Sequence, residues 1–124
     1  MATRGRSARL KGHNFEREMA NRLTSDTGFS FKRGLSQTRG GSEEVADLVC
    51  DQLPSLHFEC KRGKRCNIKA AYAQAKDAVL DEMPIIITKE DRQPTFVTMA
   101  YEDWIILFKG WCHDRNIVPV ETPS

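Results

Sequence analysis

A mixed α/β domain, its central sheet flanked by helices, is what this sequence predicts. Three observations point there. Two stretches, 12–25 and 67–82, repeat apolar residues at helical spacing. Short apolar and β-branched runs, bounded by Gly, Pro, Asp and Ser, fall around them. Ile85-Ile86-Ile87 is apolar without alternation, as a central strand covered on both faces requires. The resulting order is α-β-β-β-α-β-β-α.

Gly12 to about Ser25 reads as the first helix. At about 100° per residue, Phe15, Met19, Ala20 and Leu23 share one arc, and Arg17, Glu18, Asn21 and Arg22 the opposite one. Glu16 falls inside the apolar arc, where a solvated Glu is out of place. Gly28 suits the helix C-terminus, and Phe29 to Arg33 reads as a short strand. Gly34 to Glu44 is a loop around Gly40-Gly41-Ser42. Val45 to Cys50 and Leu56 to Lys61 form a hairpin about the turn Asp51 to Ser55. Asn67 is an N-cap for a helix running to about Glu82, whose sheet-facing stripe is Ile68, Ala71, Tyr72, Ala75, Ala78 and Val79. Pro84 to Lys89 and Thr95 to Met99 complete the sheet. Tyr101 to about His113 is the closing helix.

At 124 residues the chain makes one domain, with 40% apolar and 29% charged residues, an ordinary globular composition. We divide it into a basic arm (1–9), a single domain (10–118) and a tail (119–124). The net charge of +2 is unevenly spread, with nine Lys/Arg against three Asp/Glu in residues 1–40. A basic front on a more acidic body suits a polyanionic partner, although residues 1–9 also read as a solvated tail. The four cysteines form no CxxC pair, which argues against zinc and for a reducing compartment, the cytoplasm. No signal peptide is evident, and the longest apolar run, Trp104 to Phe108, is too short for a bilayer.

The chemistry concentrates in Asp47 and in Glu59-Cys60-Lys61. Strand alternation points Leu56, Phe58 and Cys60 one way and His57, Glu59 and Lys61 the other. Ionised groups on a half-buried strand are costly unless paired or metal-bound. A divalent cation held by Asp47 and Glu59, beside Lys61, supplies the reason; a cross-strand salt bridge to Lys61 is the plainer alternative. For Glu16 the alternative is an ion pair with a nearby Arg, and for Gln74 a local hydrogen bond. His13, His57 and His113 read as supporting or surface residues. Trp104, Phe108 and Trp111 read as core or dimer contacts.

The segments Lys11 to Glu18, Arg39 to Ser42, Asp47, Phe58 to Arg62, and Asn67 through Ala75 together resemble the PD-(D/E)XK nuclease superfamily. Within it they are most similar to archaeal-type Holliday-junction resolvases and their small phage or bacterial relatives. One departure is Ala46, where the family often has Pro before the strand Asp; that position shapes backbone and ligates nothing. The resemblance implies a restriction-endonuclease-like core and hydrolysis of DNA phosphodiesters to 5′-phosphate and 3′-hydroxyl ends. Its implied metal set is Asp47, Glu59, the Cys60 carbonyl and Glu16, directly or through water. Such oxygen donors suit Mg²⁺ or Mn²⁺. Lys61 would position the nucleophile, stabilise the pentacoordinate state or, if burial and nearby cations depress its pKa, act as a base, and Gln74 would orient Lys61 or the water.

DNA contacts are expected from Arg4, Arg6, Arg9, Lys11, Lys32, Arg33 and Arg39, and from Arg62, Lys64, Arg65 and Lys69 beyond the active strand. Ser42 resembles a loop serine that the resolvases bring toward DNA. The expected partner is branched or junction DNA, with a two-fold homodimer, no membrane and no organic cofactor. The alternatives are a nuclease for single-stranded, flapped or otherwise branched DNA, a restriction-type role, or a nucleic-acid-binding module that does not cut.

Overall fold

The computed structural model describes residues 3–34 and 46–120, with side chains from Ser7 onward. The expected loop 34–44 beyond Gly34, with Arg39 and Ser42, lies outside the described residues, as do Val45, the side chains of Arg4 and Arg6, and residues 121–124. Along the described chain run α1 (Thr3–Thr27), β1 (Lys32–Arg33), β2 (Leu48–Val49), β3 (Leu56–Gly63), α2 (Ile68–Ala78), β4 (Met83–Glu90), β5 (Thr95–Thr98) and α3 (Tyr101–Asp114). This is the predicted order. The strands form one mixed sheet, β1-β2-β3-β4-β5. β3 and β4 are parallel, joined by the α2 crossover, and the other neighbours are antiparallel.

Each face of the sheet has its own apolar cluster. On one, Phe15, Met19 and Ala20 of α1 meet Leu48, Phe58, Cys60, Ile85 and Ile87. Phe31 meets Phe58 edge-on, with ring centroids 5.2 Å apart. On the other, Ala71 and Ala75 of α2 cover Ile86. The run Ile85-Ile86-Ile87 is therefore buried on both sides, as its lack of alternation requires.

Several boundaries differ from those the sequence predicts. α1 begins at Thr3, well ahead of Gly12, so from that residue on the expected basic arm is helix. Apart from Gly5, its first turns are built of residues that tolerate a helix, and nothing in them forces a start at Gly12. The helix ends where expected. Gly28 adopts φ +83° and donates its N–H to the Thr24 carbonyl at 2.9 Å. The Thr24 hydroxyl accepts the Phe31 N–H at 2.9 Å, fastening the chain to the helix on its way into β1.

Paired strand is shorter than expected in β1 and β2, and Asp47 precedes β2 instead of lying within it. The Cys60 N–H, which would continue the ladder toward Ala46, donates instead to the Asp47 carboxylate. α2 stops at Ala78, not near Glu82. Val79 is extended, the Glu82 carboxylate accepts the Leu80 N–H, and Met83 is biased to extended backbone by Pro84. At its other end Asn67 caps the helix as expected, accepting the Ala70 N–H at 3.0 Å. The largest difference is α3. It has no buried residue, and Trp104, Phe108 and Trp111 remain 46%, 42% and 51% exposed. The expectation that these aromatics form core of this chain is thereby overturned.

Candidate active site

Asp47 and Glu59 reach one another from different segments because the turn 51–55 folds β2 back along β3. The Asp47 Oδ2 accepts the Cys60 N–H at 2.8 Å, which fixes the carboxylate against the edge of β3. Asp47 and Glu59 lie close enough that each carboxyl shifts the other's titration. Burial, the neighbouring Glu59 carboxyl and the charge of Glu16 push the Asp47 carboxyl up to about 7, against the opposing pull of the Cys60 amide. Burial pushes Glu59 the same way, but the hydrogen bond from His57, the neighbouring Asp47 carboxyl and the charges of His57 and Lys61 outweigh it and hold Glu59 below its ordinary value. Below about pH 7 one carboxyl thus holds its proton while its neighbour is ionised.

Glu16 sits beside buried Phe15 on α1 with a side chain only 15% exposed, as its place in the apolar arc implies. Its Oε1 pairs with Nε of Arg33 at 3.2 Å, so the alternative expected for Glu16, an ion pair with a nearby Arg, is present. Glu16 is still near enough to raise Asp47 and the Cys60 thiol by its charge. Among the described residues, no group of three His, Cys, Asp or Glu side chains is arranged to hold a metal ion. Two of the three expected carboxylates meet, and the third is engaged by an arginine. The Cys60 thiol, pushed up by burial, stays protonated, so the oxygen that Cys60 has to offer an ion is its carbonyl.

His57, expected in a supporting or surface place, is not at the surface. The ring is buried, and its Nε2 lies 2.7 Å from Oε1 of Glu59. The signal is present in the sequence, since residues i and i+2 of a strand share a face.

Lys61 follows Glu59 on that face and lines a cleft of about 280 Å³ between β3 and α2. Gln74 lines the same cleft, with Arg65, Cys66 and Asn67. The expected pairing of Lys61 with Gln74 across one space is therefore geometrically available.

The basic residues divide. Arg62 donates to Asp91 at 2.7 Å and to the carbonyls of Gly63 and Lys89, while Lys11 approaches Asp91 at 3.7 Å. The Arg62 hydrogen bond, with help from Lys11, holds Asp91 below its ordinary value. Arg33 is committed to Glu16. Arg9, Lys32, Lys64, Arg65 and Lys69 are exposed.

A family model described as "Phage putative PDDEXK endonuclease" matches residues 7–117. No curated protein and no solved structure matches the chain. Among the described residues, no helix is long and apolar enough to cross a membrane.

Proposed function

We propose that this chain, which belongs to the phage PDDEXK endonuclease family, is a divalent-metal-dependent, structure-selective endonuclease acting on branched DNA. The observation that supports it best is the pair Asp47 and Glu59, two carboxyls driven together in a partly buried site. Such a pair is strained by repulsion until a proton or a cation relieves it. Mg²⁺ keeps several waters and takes only one or two carboxylates, so two carboxylates and the Cys60 carbonyl form an adequate donor set without a third acidic ligand. When bound, the ion would polarise the scissile phosphate and lower the pKa of a water.

The remaining roles belong to the chain's own groups. Asp47, anchored by the Cys60 amide, and Glu59 would hold the cation through their oxygens. Lys61 directs an ammonium toward the attacking water or a phosphoryl oxygen, and Gln74 across the cleft restricts where that ammonium rests. Glu16, paired with Arg33, adds negative potential at the site and would reach the ion through water. Exposed Lys64, Arg65 and Lys69 hold the DNA backbone without reading bases. A junction offers two strands to cut and one chain offers one such site, so the working unit is a homodimer, with the exposed apolar side chains of α3 as the surface a second copy covers.

The test is cleavage of a four-way junction, a flap, single-stranded DNA and linear duplex, each with Mg²⁺, with Mn²⁺ and with EDTA. Metal-dependent cutting of the junction in preference to linear duplex is expected. Preferential cutting of flapped or single-stranded DNA would move the substrate to the second reading. Binding without cutting under every condition would leave a nucleic-acid-binding module.

A further inference from the structure

The site also contains a group that neither family membership nor the roles above account for fully: a buried histidine under one of the two carboxylates. We propose that His57 is a positioning residue whose Nε2–H fixes the Glu59 carboxylate in the orientation needed to hold a divalent cation. This rests on the metal reading of Asp47 and Glu59. The two residues share a face of β3, and the ring Nε2 lies 2.7 Å from Glu59 Oε1. A ring nitrogen 2.7 Å from a carboxylate oxygen makes a hydrogen bond when the ring nitrogen is the donor, so this geometry selects the Nε2–H tautomer. Both partners are enclosed, with side chains 8% and 14% exposed, and neither is free to swing into solvent.

Geometry makes the contact consequential. Glu59 has three rotatable side-chain bonds, and Lys61, two residues further along the same face, offers it a competing partner. With one oxygen tethered to the imidazole, the carboxylate is kept beside Asp47 and away from a simple ion pair with Lys61. Hydrogen bonds behind a metal-binding carboxylate are commonly worth about 10- to 100-fold in metal affinity. A buried His–Glu pair that merely filled space would give no such dependence.

Binding of Mn²⁺ to the full chain in the absence of DNA, followed by electron paramagnetic resonance and by calorimetry, separates these roles. His57→Gln keeps an amide donor close to the Nε2 position, His57→Asn draws it back toward the backbone, and His57→Leu removes it while keeping bulk. Wild type and His57→Gln are expected to bind alike, whereas His57→Asn and His57→Leu are expected to bind about ten-fold or more weakly while still melting cooperatively. Should His57→Leu unfold, the comparison of Gln with Asn carries the same distinction. Equal affinity in all folded variants, or equal loss in Gln and Asn, would overturn the role. Failure of wild type itself to bind Mn²⁺ would instead overturn the metal reading on which it stands.

Discussion

With its carboxyl pushed up to about 7, Asp47 keeps a proton in the folded, metal-free chain at pH values where an unfolded aspartate has lost it. Between the ordinary value of 3.8 and about 7 the folded state therefore binds more protons than the unfolded one, and this group's contribution to stability falls as pH rises through that window. Metal-free wild type should thus lose more thermal stability between about pH 5.5 and about pH 8 than Asp47→Asn, which has no carboxyl to ionise and retains an oxygen for the Cys60 amide. Scanning calorimetry in EDTA measures the difference; identical pH slopes would refute it. The same proton competes with a cation, so Mn²⁺ affinity should climb through neutral pH and flatten once Asp47 is ionised. At Lys61 the expectation is kinetic. Lys61→Met should lower single-turnover cleavage by about 100-fold or more while junction affinity falls far less.

Element by element, the legible features are those written locally. Alternation in Leu56 to Lys61, the Asn67 cap, the unbroken Ile85 to Ile87 run and the place of Glu16 in the α1 arc all depend on near neighbours, and each appears where the pattern puts it. What escapes a sequence reading depends on partners remote in the chain. Arg33 and Arg62 read as DNA contacts, yet Glu16 and Asp91 pair with them. The Cys60 amide shortens β2 by choosing a side chain over a strand carbonyl. α3 is the hardest case, since an apolar helix looks the same in sequence whether its own sheet or another molecule covers it. Two element-level outcomes follow. Leu48→Ala, which removes a side chain with no exposed surface, should cost about 2–5 kcal/mol in urea unfolding. Phe108→Glu on α3 should change monomer stability by only about 0.5 kcal/mol, yet shift the mass found by light scattering from dimer to monomer. A large drop in stability with no change in mass would place α3 in this chain's own core instead.

For the whole molecule, the proposed DNA contacts can be sorted by which basic residues are already engaged within the chain. Lys64, Arg65 and Lys69 are exposed beyond β3, while Arg62 is tied to Asp91 and two carbonyls. Replacing Lys64, Arg65 and Lys69 with Ala should reduce the slope of log affinity against log salt by about 0.9 for each phosphate no longer neutralised, whereas Arg62→Ala should act mainly on stability. Fluorescence anisotropy across a salt series distinguishes them. The proposed function stands on Asp47 and Glu59, from separate segments of the chain, holding one cation between them, and that convergence is directly testable. Crystals of the full chain grown with Mn²⁺ and measured at the manganese absorption edge should show an anomalous peak bridging Asp47 and Glu59 within coordination distance of the Cys60 carbonyl. A peak held by other residues, or none at a concentration of Mn²⁺ that supports cleavage, would contradict the account.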